Sequence, residues 1–456
     1  MPEFRFEKDV DKLRIVLSER GINKAHIRTY GCQQNVSDSE KIKGILEQAG
    51  CEISAEQNSA DIVIFNTCAI RQTAENRIFG HIGELKKTHA KRSQKLIMLG
   101  GCMVQQPYIV ERIRESYPYI DVLFNTNDLC LLPKLMISGI LKKERQFNSL
   151  SDTYSLNEGI PVSRSSGYRA LLPVMYGCDN YCSYCVVPFV RGRERSRKSK
   201  DVIREFKQIV NNGYKEIMLL GQNVNSYGKN SFEGDDFPGL LAALGDEDGD
   251  FILRFMTSHP KDASSKMFNV IADYPKISRT IHLPVQSGSN RILDLMNRGY
   301  TRECYLELLE RAREKIDSVL FTSDIIIGFP GETDDDFMQT VDLVKSAGFY
   351  SLFIFIYSNR AGTKAAMLPD EIPHKLKTER LIALTRIQDS ISEGYDRMLL
   401  GRSIRGIIAE KLLNGNLEVR LDNNSVVEAS GNGSVGNYCN IKVTDIKKRR
   451  LYGKIF

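Results

Sequence analysis

From Tyr168 onward the chain alternates six times between strand-length apolar segments and helix-length segments. Nothing else in its 456 residues limits the fold as strongly. The strand segments are 171–176, 216–220, 251–256, 280–285, 320–327 and 352–357, and the main helices between them fall near 200–212, 263–272, 302–316 and 334–347. Parallel strand–helix repeats with right-handed crossovers curl into a barrel. Six units in place of eight leave that barrel open on one side. Residues that do chemistry in such a barrel collect at the carboxyl ends of its strands.

The loop leaving the first of these strands reads Gly177-Cys178-Asp179-Asn180-Tyr181-Cys182-Ser183-Tyr184-Cys185. Three thiols spaced C-x3-C-x2-C can converge on one metal centre. A closed zinc site needs a fourth Cys or His nearby, and the nearest downstream His is His259. A [4Fe–4S] cube held by three thiolates instead keeps one iron open. A zinc knuckle, or a disulfide with a spare thiol, is the structural alternative. The other strand ends carry small or polar residues. Tyr184, Gln222, Ser258, Gln286 and Gly328 stand there as candidate cofactor contacts. His259 before Pro260 reads as a turn residue and His282 as core.

Upstream, residues 1–23 form an amphipathic lead with Val10, Leu13, Val16 and Leu17 at helical spacing. Strands at 25–30, 61–66 and 96–99 then alternate with helices. Ser37-Asp38-Ser39-Glu40 reads as a capping box that opens the first of these helices, and helices near 73–90 and 106–116 follow. This order predicts an open parallel sheet. Cys32, Cys68 and Cys102 each lie just past a strand, with Gly31 and Gly101 beside two of them. Singly each would be a buried apolar cysteine. Together, at equivalent strand ends, they point to a second cluster. Cys51, Cys130, Cys304 and Cys439 lack such placement. Residues 145–167 are polar and unpatterned and read as a linker. After 392, short strands near 417–422, 425–429, 436–442 and 452–456, joined by Asn/Gly turns, predict a small antiparallel barrel.

Ten cysteines in a chain with a charged, apolar-poor amino terminus and no apolar run near ~20 residues suggest a cytoplasmic protein, no membrane association, and thiols used for metal. Net charge is +6. Arg191, Arg193, Arg195 and Arg197, directly after the thiol loop, and Lys447, Lys448, Arg449 and Arg450 near the carboxyl end are candidate nucleic-acid phosphate contacts. There is no Trp, so base stacking would fall to Tyr, Phe, His or Arg.

The chain from about Lys24 to Phe456 resembles the radical-SAM methylthiotransferases. The resemblance rests on residues 29–35 (TYGCQQN), 177–197 with the thiol loop and RGRERSR, and 221–228 (GQNVNSYG). Gln34 stands where that pattern has Met, and Ala361 where it has Pro. The resemblance implies an α/β chain in five segments: an extension (1–23), a methylthiotransferase domain (24–147), a linker (148–167), a radical-SAM domain with a partial (β/α)6 TIM-like barrel (168–392), and a TRAM-type RNA-binding barrel (393–456). It implies two [4Fe–4S] clusters, one on Cys178, Cys182 and Cys185 that cleaves S-adenosyl-L-methionine (SAM), the other on Cys32, Cys68 and Cys102 carrying the sulfur. It further implies a tRNA bearing isopentenyladenosine beside the anticodon, methylthiolated at carbon 2, an electron donor of flavodoxin or ferredoxin type, and an iron–sulfur or sulfur carrier. Competing expectations are action on threonylcarbamoyladenosine, on a ribosomal-protein aspartate, or non-catalytic RNA binding by an iron–sulfur module.

Overall fold

The computed structural model describes residues 2–69, 72–89, 95–142, 144–148, 155–230, 234–447 and 449–456. It divides into two compact units: Met1–Ser165 with Tyr176–Asp179 and Val186–Arg195, and the remaining residues 166–175, 180–185 and 196–456.

The first unit is built on six parallel strands. Their order is Glu52–Ile53, Lys24–Thr29, Ile62–Thr67, Leu96–Gly101, Val122–Phe124 and Gln146–Asn148. Both faces are covered, which is why the central strands are apolar throughout and do not alternate. Ile62, Ile64 and Met98 join a cluster with Ile42, Ile45, Val10 and Leu13. Val63, Phe65, Ile97 and Leu99 face Ile78, Ile82, Ile109 and Ile113.

Three sequence expectations change here. The lead is the helix Pro2–Glu19, whose Val10, Leu13 and Leu17 are core residues, so it is no detached extension. The expected linker begins inside the sheet, as the edge strand Gln146–Asn148. Its described remainder is laced to the first unit. Leu129 N donates to Asn157 Oδ1 (2.9 Å), Ser163 N to Glu40 O (3.0 Å), and Ile160 is buried. Polar residues there satisfy backbone groups, and composition alone reads them as a tether. Finally, the capping box is not one. The helix starts a turn earlier, at Gln33, with Cys32 in the N-cap position, so Ser37 and Glu40 lie buried within it.

The second unit holds the open barrel as two three-stranded parallel sheets. One is Ile252–Phe255, Glu216–Leu220, Arg169–Pro173; the other is Thr280–His282, Leu320–Ile327, Ser351–Ile356. A single parallel bridge, Leu253 to Ile277, links them. The fourth strand ends at His282, short of the expected 285, because Pro284 has no N–H for the ladder. The helix His374–Leu399 packs behind the last strand and escaped the apolar-period reading. Beyond it, five strands close a barrel: Ser403–Lys411, Leu417–Leu421, Val426–Ser430, Arg450–Ile455 and Tyr438–Lys447. Arg254 fastens this barrel within the unit, donating to Leu421 O (3.1 Å) and Asp422 O (3.0 Å). Among the described residues no helix is long and apolar enough to cross a membrane.

Candidate metal centres

In the first unit, Cys32, Cys68 and Cys102 follow three adjacent parallel strands: Lys24–Thr29, Ile62–Thr67 and Leu96–Gly101. Glycine makes the approach possible. Gly31 has φ +117°, and a Cβ there would lie 2.5 Å from Cys68 Cβ. Gly101, at φ +101°, would meet Thr67 O at 2.2 Å. A net of amides ties the strand ends together. Asn35 Nδ2 donates to Thr67 O (2.8 Å), Asn66 Nδ2 to Asn35 O (2.8 Å) and Ser39 Oγ (2.9 Å), and Cys102 N to Thr67 O (3.0 Å). Cys32 Sγ donates to Asn35 Oδ1 (3.3 Å).

Arg191, read from sequence as a phosphate contact, lies in this site. It is buried, with Nε donating to Cys102 Sγ (2.9 Å) and Nη2 to Asp38 Oδ2 (2.7 Å). A guanidinium committed to a buried carboxylate and a thiol does not reach RNA. Burial pushes the Cys102 thiol up to about 12, opposed by Arg191 and reinforced by the charges of Cys68 and Cys32. A bound metal would reverse that and hold the thiolate.

The thiol loop itself is shared between the units by residue. Gly177 (φ +77°) and Cys178 belong to the first, where Cys178 N donates to Gly192 O (3.2 Å). Cys182 and Cys185 belong to the second. There the segment is pinned by residues 295–297. Ser183 N donates to Met296 O (3.0 Å), Ser183 Oγ to Leu295 O (2.7 Å), and Asn297 Nδ2 to Tyr181 O (3.0 Å). Cys32, Cys102 and Cys182 are unbridged thiols. Among the described residues no three Cys, His, Asp or Glu side chains converge as a single-ion site. A lone zinc, with ~2.3 Å bonds to sulfur, needs such convergence, whereas a cube spreads its thiolates over several irons.

The expected cofactor contacts all belong to the second unit, four of them just past strands and Tyr184 within the thiol loop. Ser258 is buried, and its Oγ has no hydrogen-bond partner among the described residues. Gln286 is buried and sits in left-handed backbone (φ +77°); exposed Thr257, one strand away, is also left-handed (φ +65°). Gly328 (φ +67°) rests on the Lys377 stem, and its N–H donates to Glu332 Oε2 (2.9 Å). The Tyr184 hydroxyl accepts from Arg298 Nη1 (3.4 Å). Gln222 is half-buried at the end of Glu216–Leu220.

Sequence reasoning missed several neighbours. Buried His259 accepts at Nδ1 from Lys261 N (3.3 Å), which puts its proton on Nε2, and Nε2 has no partner among the described residues. Burial first, then the Arg298, Lys261 and Lys229 cations, lower its pKa to about 2. Asn223 Oδ1 and Tyr357 OH are likewise buried without partners among the described residues. Orphaned buried donors and acceptors at three strand ends fit a polar cofactor such as SAM. His282 is a core strand residue, as read, with Nδ1 bonded to Thr322 Oγ1 (2.9 Å).

Among the remaining basic residues, Arg197 is also a correction. It is buried, bound to Pro173 O (2.7 Å) and Glu205 (2.9 Å). Arg193 is exposed and pairs with Asp179, and Arg195 is half-buried. Lys447 pairs with Asp445 (2.8 Å), Arg449 with Asp389, and Arg450 is exposed. Lys448 lies outside the described residues.

An open six-stranded parallel barrel, with a three-cysteine loop at its first strand, defines a radical SAM enzyme. Residues 172–344 match the family model described as Radical SAM superfamily, and residues 24–125 that of the Uncharacterized protein family UPF0004. In structure, the chain is similar to a radical S-adenosylmethionine methyltransferase from Kitasatospora setae (TM-score 0.55, 14% identity, 76% of this chain and 75% of that one). It is also similar to a cobalamin-dependent S-adenosylmethionine radical enzyme (TM-score 0.54, 13% identity), aligning over 81% of this chain and 56% of that one.

Sequence relatives are nearer. The chain is 43% identical to a protein of Thermoanaerobacter pseudethanolicus (94% of this chain, 92% of that one), and 45% identical to one of Carboxydothermus hydrogenoformans (94% and 98%). Both are named tRNA-2-methylthio-N(6)-dimethylallyladenosine synthase, and this chain belongs to their family.

Proposed function

We propose that the chain adds a methylthio group to carbon 2 of N6-(dimethylallyl)adenosine next to the tRNA anticodon. The observation that carries this reading, beyond the family, is the meeting of Cys32, Cys68 and Cys102 at three neighbouring strand ends, with glycines where a side chain would collide. A cleaver of SAM alone has no need of that second thiol set. Cys178, Cys182 and Cys185 hold one [4Fe–4S] cluster; Cys32, Cys68 and Cys102 hold the other. When bound, the clusters and SAM supply the electron, the hydrogen-abstracting radical and the sulfur.

The residues of the chain position and shield. Asn35 and Asn66 lock the strand ends that carry the sulfur-bearing site, and Arg191 presents its guanidinium to Cys102. Ser258, His259, Asn223 and Tyr357 offer buried polar atoms to SAM, and left-handed Thr257, Gln286 and Gly328 bring backbone close to it. Arg193, Arg195, Lys447, Arg449 and Arg450 are the candidate cations left for the RNA among the described residues. The target base must leave its stack to react. The electron comes from a flavodoxin- or ferredoxin-type donor and sulfur from an iron–sulfur or sulfur carrier. The work is done in the cytoplasm, where tRNA is found.

The test is nucleoside analysis of tRNA from cells lacking the gene for this chain. The methylthio-isopentenyl nucleoside should disappear and the isopentenyl nucleoside accumulate. An unchanged level, with no second synthase in the genome, would sink the assignment.

A further inference from the structure

Among the described residues, the buried cation Arg298 has no carboxylate paired with it. It is 4% exposed. Nη2 donates to Pro284 O (2.6 Å), Nε to Tyr300 OH (2.9 Å), and Nη1 to Cys182 Sγ (3.3 Å) and Tyr184 OH (3.4 Å). None of these partners is a carboxylate: they are a backbone carbonyl, two phenol oxygens and one cysteine sulfur. Four other buried arginines differ. Arg380 meets Glu332, Arg254 meets Glu216, Arg197 meets Glu205, and Arg191 meets Asp38. An uncompensated buried charge is strongly unfavourable, so the surroundings of Arg298 are matched to an anion that no carboxylate among the described residues supplies.

We propose that Arg298 is the counter-charge of the cluster on the Cys178–Cys185 loop and raises its reduction potential. The inference rests on that loop holding a cluster. A cube bound by three thiolates is net negative and becomes more so on reduction, so a guanidinium donating to one ligating sulfur favours the reduced state. The first unit supplies the contrast. Arg191 also donates to a cysteine, but Asp38 already cancels its charge. Arg191 therefore adds a hydrogen bond with little net field, whereas Arg298 adds both.

The test is a redox titration of the anaerobically loaded protein, following the reduced EPR signal that changes when SAM is added. Arg298→Gln should keep the same iron content while its reduced-to-oxidised ratio at fixed poise falls about tenfold, ~59 mV for one electron. Arg298→Lys should recover most of that loss. SAM affinity is measured separately. If Arg298→Gln weakens SAM binding but leaves the potential unchanged, the residue serves SAM and the proposal is overturned. Should Arg298→Gln fail to fold, wild-type protein labelled with ¹⁵N-arginine provides the reading. Weak ¹⁵N coupling on the SAM-sensitive signal is expected, and its absence overturns the proposal. A wild-type protein with no SAM-sensitive signal at all would remove the cluster, and this inference with it.

Discussion

Two residues show how finely the sites depend on single positions. Gly31 sits at φ +117°, and its missing Cβ leaves the space that Cys68 fills. Gly31→Ala should abolish binding of about four irons per chain at Cys32, Cys68 and Cys102 while SAM cleavage continues. Iron analysis and 5′-deoxyadenosine formation read the two separately, and full iron content in the variant would contradict the role given to Gly31. His259 is held neutral down to about pH 2, chiefly by burial and then by the nearby cations. The unfolded chain protonates a histidine near 6.5. On acidification the unfolded state therefore takes up the proton first, so stability falls as pH drops below ~6.5, by at most ~1.4 kcal/mol per pH unit. His259→Gln should remove that increment, and denaturant titrations at pH 5 and pH 7 measure it. A variant with the wild-type difference would refute it.

At the scale of elements, the legible parts were those whose burial is apolar. Glu216–Leu220 and Leu320–Ile327 stand where apolar runs put them. The helix His374–Leu399 was invisible for a physical reason. Its buried face reads Lys377, Arg380, Leu384, Gln388, Ser392 and Asp396, at steps of three and four, nearly all polar. Apolar periodicity cannot find a face stabilised by ion pairs. The same blindness put Arg191 and Arg197 on the surface, because a basic run looks alike whether its partners are phosphates or buried carboxylates. Cysteine and glycine positions were readable, since spacing carries their chemistry. Arg298, His259 and Asn223 were not, because their meaning lies in what they fail to pair with.

The polar helix also supports the cofactor end of the barrel. Arg380 donates to Glu332 (2.6 Å) and Asp334 (2.6 Å), and Glu332 accepts the Gly328 N–H. Arg380→Gln leaves Glu332 buried without its cation. It should raise the Kd for SAM about tenfold or more, equal to ~1.4 kcal/mol. Calorimetry checks this, and unchanged affinity in a folded variant would separate the helix from the cofactor loop.

For the whole molecule, the account requires two clusters with separable duties in one chain, acting on one base. The thiol set at Cys32, Cys68 and Cys102 and the loop at Cys178, Cys182 and Cys185 are organised by different elements, so each should be removable without the other. The most direct measurement is a single reaction: anaerobically loaded protein, SAM, a low-potential reductant and tRNA bearing isopentenyladenosine, followed by mass spectrometry of the nucleosides. The account predicts 5′-deoxyadenosine together with 2-methylthio-isopentenyladenosine, and with Cys68→Ala 5′-deoxyadenosine alone. Formation of 5′-deoxyadenosine by the wild-type protein with the adenosine left unmodified, or methylthiolation by the Cys68→Ala variant, would contradict it.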